Sequence, residues 1–167
     1  VTHEFTHGFT AHTSGLIYRN QAGAMNESMS DVFGYLVEAK YQDGGDWTQG
    51  EDVHYSGASR SFINPPDYNQ PDHVNHPYFV PYNPNPQWSN DFGGVHYNSG
   101  IINKIMYLVI AGDTHYEIDV TPLEEDLNTS REVAANIWFA WNSFYLNPED
   151  DFEIGREKML QACNDLY

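Results

Sequence analysis

Apolar residues recur at helical spacing through most of the chain. From Ala24 to about Tyr41, Met25, Met29, Val32, Phe33, Leu36 and Val37 fall on one face of a 3.6-residue repeat, which predicts a largely buried helix ending at the turn-rich QDGGD. Residues 1–14 predict a shorter helix stopped at Ser14-Gly15, because glycine just past the last periodic residue is the usual C-terminal stop. Further helices are expected from about Gly94 to Ala111, from Ser130 to Leu146 and from about Phe152 to Leu166. The fourth is opened by Thr129 and Glu132 at capping-box spacing. Seven of the nine prolines lie between Pro65 and Pro86, mixed with Asn, Tyr and His, so this stretch is expected to be a long irregular surface loop. Alternation of the strand type is scarce and no internal repeat is visible. The pattern is that of a mainly α segment.

Charge narrows the partners. Seven Lys and Arg against 24 Asp and Glu give a formal charge of −17, which repels nucleic-acid phosphates and anionic membranes alike. Such acidity either keeps a protein soluble or supplies carboxylates that hold cations. The most apolar run, IINKIMYLVI, is too short to span a bilayer and is interrupted by Asn103 and Lys104. Cys163 is alone, so no disulfide framework exists within these residues. With 167 residues the chain could form one domain or one lobe of something larger. It opens two positions before His3, inside the first predicted helix, where domains seldom begin; the expectation is a segment cut from a longer chain.

The first helix carries HEFTH. His3 and His7, four apart, project from one helix face at the separation two imidazoles need to reach a single zinc ion. Alone, such a pair can equally be solvent-facing helix polarity; the motif gains meaning when a third ligand comes from elsewhere. The second helix offers Asn26, Glu27 and Asp31 in NESMSD, with Glu27 twenty residues beyond His7. Two histidines and a glutamate would leave one tetrahedral position open, the layout of a catalytic rather than a structural zinc. Glu4 points about 100° around the helix from His3, unsuited to be a ligand but placed to act as a base.

At these residues the chain resembles the thermolysin-like zinc metallopeptidases. The resemblance rests on His3, Glu4 and His7, on the intervening SGLIYRNQAGA, on Asn26, Glu27, Ser30 and Asp31, and on GGVHYNSGIINK further along. It implies a helical carboxy-terminal lobe of a two-lobed enzyme, with residues 1–167 a single lobe and both a β-rich amino-terminal lobe and a last helix missing from this chain. It implies one catalytic zinc held by His3, His7 and Glu27, with Asn26 and Asp31 accepting hydrogen bonds from the two imidazoles, and Glu4 as general base. Tyr18 and His96 would stabilise the oxyanion, Asp91 would orient His96, and Arg60 would fix a substrate carbonyl. Without the resemblance, Tyr18 would read as core and His96 as surface.

Glu38, Asp46 and Glu51 match family residues that hold calcium, of which one ion is expected. Gln49, Val53 and Ser59 correspond to walls of the main specificity pocket and are more polar than usual. His12, His54, His73, His76 and His115 lack such context and read as loop or surface residues, although His73 and His76 in DHVNH could touch a second metal. The function implied is that of a secreted zinc endopeptidase acting on protein or peptide substrates. The alternative is a zinc- and calcium-binding adhesion or interaction module that has lost hydrolysis; retention of Glu4, Tyr18, Asp91 and His96 together argues against it.

Overall fold

The computed structural model describes residues 1–42, 44–50 and 57–167. The helical pattern is realised as α1 (Thr2–His12), α2 (Asn20–Tyr41), α3 (Asp91–Ala111), α4 (Leu127–Ala140) and α5 (Phe152–Leu166). α2 is the axis of the fold and packs most extensively on α3 and on α1. Met25, Met29 and Val32 on α2 are fully buried, together with Met106 of α3 and Trp138 of α4. Burying each such side chain contributes about 1.5–3 kcal/mol.

Between Asn20 and Val32 almost every residue of α2 is buried, polar ones included. Gly23 explains how closely α3 can approach: a Cβ there would lie 2.4 Å from Val95 Cγ1. The helix starts four residues earlier than the expected Ala24. Asn20, in the left-handed region at φ 49°, ties this start to the proline-rich segment through two bonds with the backbone of Asn83.

That segment is irregular apart from short 3₁₀ turns at Pro65–Tyr68 and Trp88–Asn90. It is nonetheless fixed at several points. Asn98 of α3 both accepts from and donates to the backbone of Val80, and Lys104 Nζ donates to the carbonyl of Ile63 at 2.9 Å.

Two small hairpins complete the described residues. β1 (Thr48–Gln49) pairs antiparallel with β2 (Arg60–Ser61), and β3 (Asp113–His115) with β4 (Ile118–Val120). α4 begins at Leu127 rather than at Ser130. Its cap is the Asp126 carboxylate, which accepts from the Thr129 amide at 2.9 Å, so the expected box of Thr129 and Glu132 is not the device used. The helix also ends sooner than Leu146, opening into a wide π-type turn over Trp141–Tyr145. Asn142 in that turn is buried; its amide donates to Thr10 Oγ1 at 2.9 Å and its carbonyl accepts from Ser14 Oγ at 2.6 Å, which fastens the far end of α1.

Candidate metal centre and catalytic cluster

α1 and α2 bring His3, His7 and Glu27 together. Their donor atoms all lie within 4.8 Å of one another. The two Nε2 atoms face each other at 3.1 Å, and Glu27 approaches with Oε1 3.4 Å from His7 Nε2 and Oε2 3.6 Å from His3 Nε2. The opposite ring nitrogens are already engaged. His7 Nδ1 donates to Asn26 Oδ1 at 2.7 Å, and His3 Nδ1 stands 2.9 Å from Asp31 Oδ1. Asn26 is held in that orientation because its amide donates to the carbonyl of Leu16 at 3.0 Å. With His7 Nδ1 on Asn26 and His3 Nδ1 beside the Asp31 carboxylate, the two Nε2 atoms and the Glu27 carboxylate converge on one point. Glu27 is 1% exposed, and its Oε2 is buried without a hydrogen-bond donor. Acceptors gathered in this way call for a cation, and two imidazoles plus a carboxylate suit zinc.

Asp31 is fully buried and unusually well supported. Arg60 reaches it with Nε at 2.8 Å and Nη2 at 2.9 Å, while Asn103 Nδ2 donates at 2.8 Å. Ser28 Oγ in turn donates to Asn103 Oδ1 at 2.7 Å. Burial would raise the carboxyl's pKa, but the Arg60 charge and the contacts with His3 and Asn103 hold it below the ordinary range, so Asp31 is an anion facing His3. Arg60, expected to grip a substrate carbonyl, therefore has part of its donor fork committed to Asp31. In the sequence Asn103 shows only as a polar residue inside the most apolar run.

On the other side of Glu27 stand Tyr18 and His96. The Tyr18 hydroxyl donates to Glu27 Oε1 and lies 3.1 Å from His96 Nε2. Burial and the Glu27 carboxylate push the phenol's pKa far upward, so it keeps its proton and remains a donor. His96 Nδ1 meets Asp91 Oδ1 at 2.5 Å, and the other Asp91 oxygen accepts the His96 amide at 2.8 Å. That hydrogen bond raises the imidazole's pKa against the opposing effect of burial. The carbonyl of His96 accepts from Gln70 Nε2 at 2.6 Å, a second contact not anticipated from the sequence. Burial would raise the Glu27 pKa, yet the facing His7 imidazole and the Tyr18 hydroxyl keep it low. Burial would lower that of His7, yet Glu27 and Asn26 raise it. Glu4 is exposed beside this cluster and outside the ligand triangle.

Other expectations fall elsewhere. His73 lies against His115 and Tyr116, and His76 against Tyr78. Each offers Nδ1 to a backbone amide two residues on, and neither belongs to a metal-competent group among the described residues. Glu38 is half-buried; Asp46 accepts from the Thr48 amide and hydroxyl at 2.9 and 2.7 Å. Gln49 donates to the Asp31 carbonyl at 3.3 Å, and the Ser59 hydroxyl to the Gln49 carbonyl at 3.0 Å. Glu51, Val53 and His54 lie outside the described residues.

The family model for the thermolysin metallopeptidase α-helical domain matches residues 14–167. The chain belongs to the thermolysin family. It is 40% identical over 171 aligned residues to a thermolysin of Alicyclobacillus acidocaldarius subsp. acidocaldarius and 39% identical to a bacillolysin of Brevibacillus brevis. Both alignments cover 100% of this chain but 29% of the relative, so the chain spans under a third of the thermolysin-family proteins it matches. Among solved structures it resembles the precursor of protealysin, a metalloproteinase from Serratia proteamaculans, at a TM-score of 0.72 and 28% identity, over 99% of this chain and 51% of that one.

Proposed function

We propose that this chain carries the zinc-binding and catalytic residues of a secreted zinc endopeptidase that cleaves internal peptide bonds of proteins. The observation that carries the proposal is the convergence of His3, His7 and the buried, unpartnered Glu27 Oε2 beside Tyr18 and His96. His3, His7 and Glu27 would hold the ion, and Asn26 and Asp31 would keep the two imidazoles turned toward it. A zinc ion held by these residues would supply Lewis acidity, which lowers the pKa of a bound water toward about 7. Glu4 then takes the proton of the attacking water on its carboxylate and passes it to the leaving amine. His96 Nε2 and the Tyr18 hydroxyl, once its single proton turns from Glu27, would donate to the oxygen on which negative charge develops, and both side chains already stand beside the site. Asp91 keeps His96 protonated and oriented; Arg60 anchors Asp31 and directs its remaining donors toward the substrate backbone.

A structural calcium ion held by Glu38, Asp46 and Glu51 forms part of the reading by resemblance, as does a β-rich amino-terminal lobe of the same enzyme completing the cleft. Residues 1–167 would be the helical lobe of that assembly. Among the described residues no helix is long and apolar enough to cross a membrane.

The test is Glu4→Gln in the intact protein. Hydrolysis of a peptide should fall by about 10²–10⁴-fold while one zinc per chain is retained, because the base is lost and the ligands remain. A variant that retains most of its turnover would refute the mechanism.

A further inference from the structure

Asp91, Phe92, Gly93 and Gly94 follow one another at φ of 52°, 49°, 85° and 83°, a left-handed turn at the head of α3. Glycine adopts that region freely, and short Asp or Asn side chains do so with little difficulty, but a phenylalanine there is strained and persists only when its surroundings hold it. The turn is closed by the Phe92 amide donating to the Gln87 carbonyl at 2.8 Å and the Gly93 amide donating to Asn90 Oδ1 at 3.2 Å. It turns the Phe92 ring edge-on to Tyr18, centroids 5.6 Å apart, and to Trp88 on its other side, 5.9 Å apart. Trp88 is 83% exposed, whereas Trp138 and Trp141 are each 1% exposed. Neither Trp88 nor Phe92 belongs to the hydrophobic core. Three rings therefore run outward from the hydroxyl that touches Glu27 and His96, and the outer two have no part in the chemistry derived above.

We infer that Trp88 and Phe92 form an aromatic subsite on which a large apolar or aromatic side chain of the bound peptide packs. The inference rests on the endopeptidase reading. The shelf is continuous with Tyr18 and ends no more than about 12 Å from its ring. An extended peptide advances about 3.3 Å per residue, so the side chain it receives lies roughly three residues from the cleaved bond. Aromatic faces offset or edge-on at these separations favour another ring over a polar group.

Two measurements on the intact protein test this. The first is binding, read in a Glu4→Gln background by acrylamide quenching of tryptophan fluorescence, with the Trp88→Ala variant identifying the Trp88 signal. A blocked octapeptide with phenylalanine at the third position on both sides of its central bond should shield Trp88, and its glycine counterpart should not. The second is the cleavage profile of a random peptide library. A preference for aromatic residues at one position two to four residues from the cleaved bond should fall about 3- to 10-fold in Trp88→Ala and in Phe92→Asn. The latter removes the ring while an asparagine tolerates the left-handed backbone. Zinc content equal to that of the parent certifies that each variant is folded. An unchanged profile in both variants would overturn the inference, as would absence of shielding by the phenylalanine peptide. So would a Trp88 already protected from acrylamide in the peptide-free protein, which would assign the rings to packing. Shielding without any cleavage by the parent protein would overturn the endopeptidase reading and leave the subsite standing.

Discussion

The two halves of α2 each bury a polar network, and they differ in one respect. In the carboxy-terminal half, Tyr35 receives Arg131 Nε and Nη2 at 3.0 and 2.8 Å, Arg131 Nη2 also reaches the Gly44 carbonyl at 2.6 Å, and its Nη1 reaches Asn128 at 2.9 Å. Every donor group of the guanidinium has an acceptor. Burial pushes the Tyr35 hydroxyl up to about 12 despite Arg131, so it stays a neutral phenol. Nearer the amino terminus, Asp31 is equally well served, but Glu27 Oε2 has no hydrogen-bond partner, Arg60 Nη2 standing off at 4.0 Å, and the Nε2 atoms of His3 and His7 face it. A satisfied buried network stabilises and specifies a fold; one whose buried carboxylate oxygen is left short of a hydrogen-bond donor beside two imidazoles marks a place for a cation.

Breaking the contrast at its centre gives the largest expected effect. Glu27→Ala should weaken zinc binding by more than about a hundredfold, beyond the usual cost of losing an outer partner. Competitive zinc titration checks it, and unaltered affinity would mean that the third ligand is another residue. Asn103→Leu comes next. It removes a donor from Asp31 without touching a ligand, and zinc affinity should fall by about 10- to 100-fold. An affinity within a factor of two of the parent's would place Asn103 outside the metal's support.

Arg131→Met acts on the satisfied network and should do the reverse. Stability should drop by about 1–3 kcal/mol in a denaturant titration, because the Gly44 carbonyl and the Tyr35 hydroxyl lose their partner, while zinc affinity is unchanged. A fall in zinc affinity as large as that from Asn103→Leu would erase the distinction between the halves. The smallest effect is expected from calcium. If Glu38, Asp46 and Glu51 hold an ion, chelating calcium present at ten times its Kd should cost about 1.4 kcal/mol of stability and lower the melting temperature. A melting curve indifferent to calcium would remove that site from the proposal.

Much of this organisation is written in local pattern. The two histidines at helical spacing and the polar NESMSD within an otherwise apolar face announce a buried acidic helix beside HEFTH, and the fold brings them together. What pattern conveys poorly is long-range pairing. Asn103 meets Asp31 across 72 positions, and Gln70 reaches the His96 carbonyl from a segment with no periodicity. The hairpin of β3 and β4 was hidden because its turn residues Tyr116 and Glu117, at φ 48° and 64°, replace the Asn-Gly pair that normally signals such a turn. TSRE imitates a capping box and points to a start at Ser130, while Asp126, three residues ahead of Thr129, is the true cap. Family resemblance points Arg60 at a substrate carbonyl; that two of its nitrogens face Asp31 depends on the pairing of β1 with β2.

The wide turn after α4 gives α1 the mechanics of a lever. Asn142 fastens the helix near Thr10 and Ser14, whereas His3 sits at the opposite end. At 1.5 Å of rise per residue, the seven residues from Thr10 to His3 make an arm of about 10 Å. A pivot of about 5° at the Asn142 clamp would therefore swing the His3 imidazole by about 0.9 Å, more than the few tenths of an ångström that metal–ligand distances tolerate. A side chain 139 positions away in sequence thus bears on the aim of His3, together with the Asp31 carboxylate that faces its Nδ1.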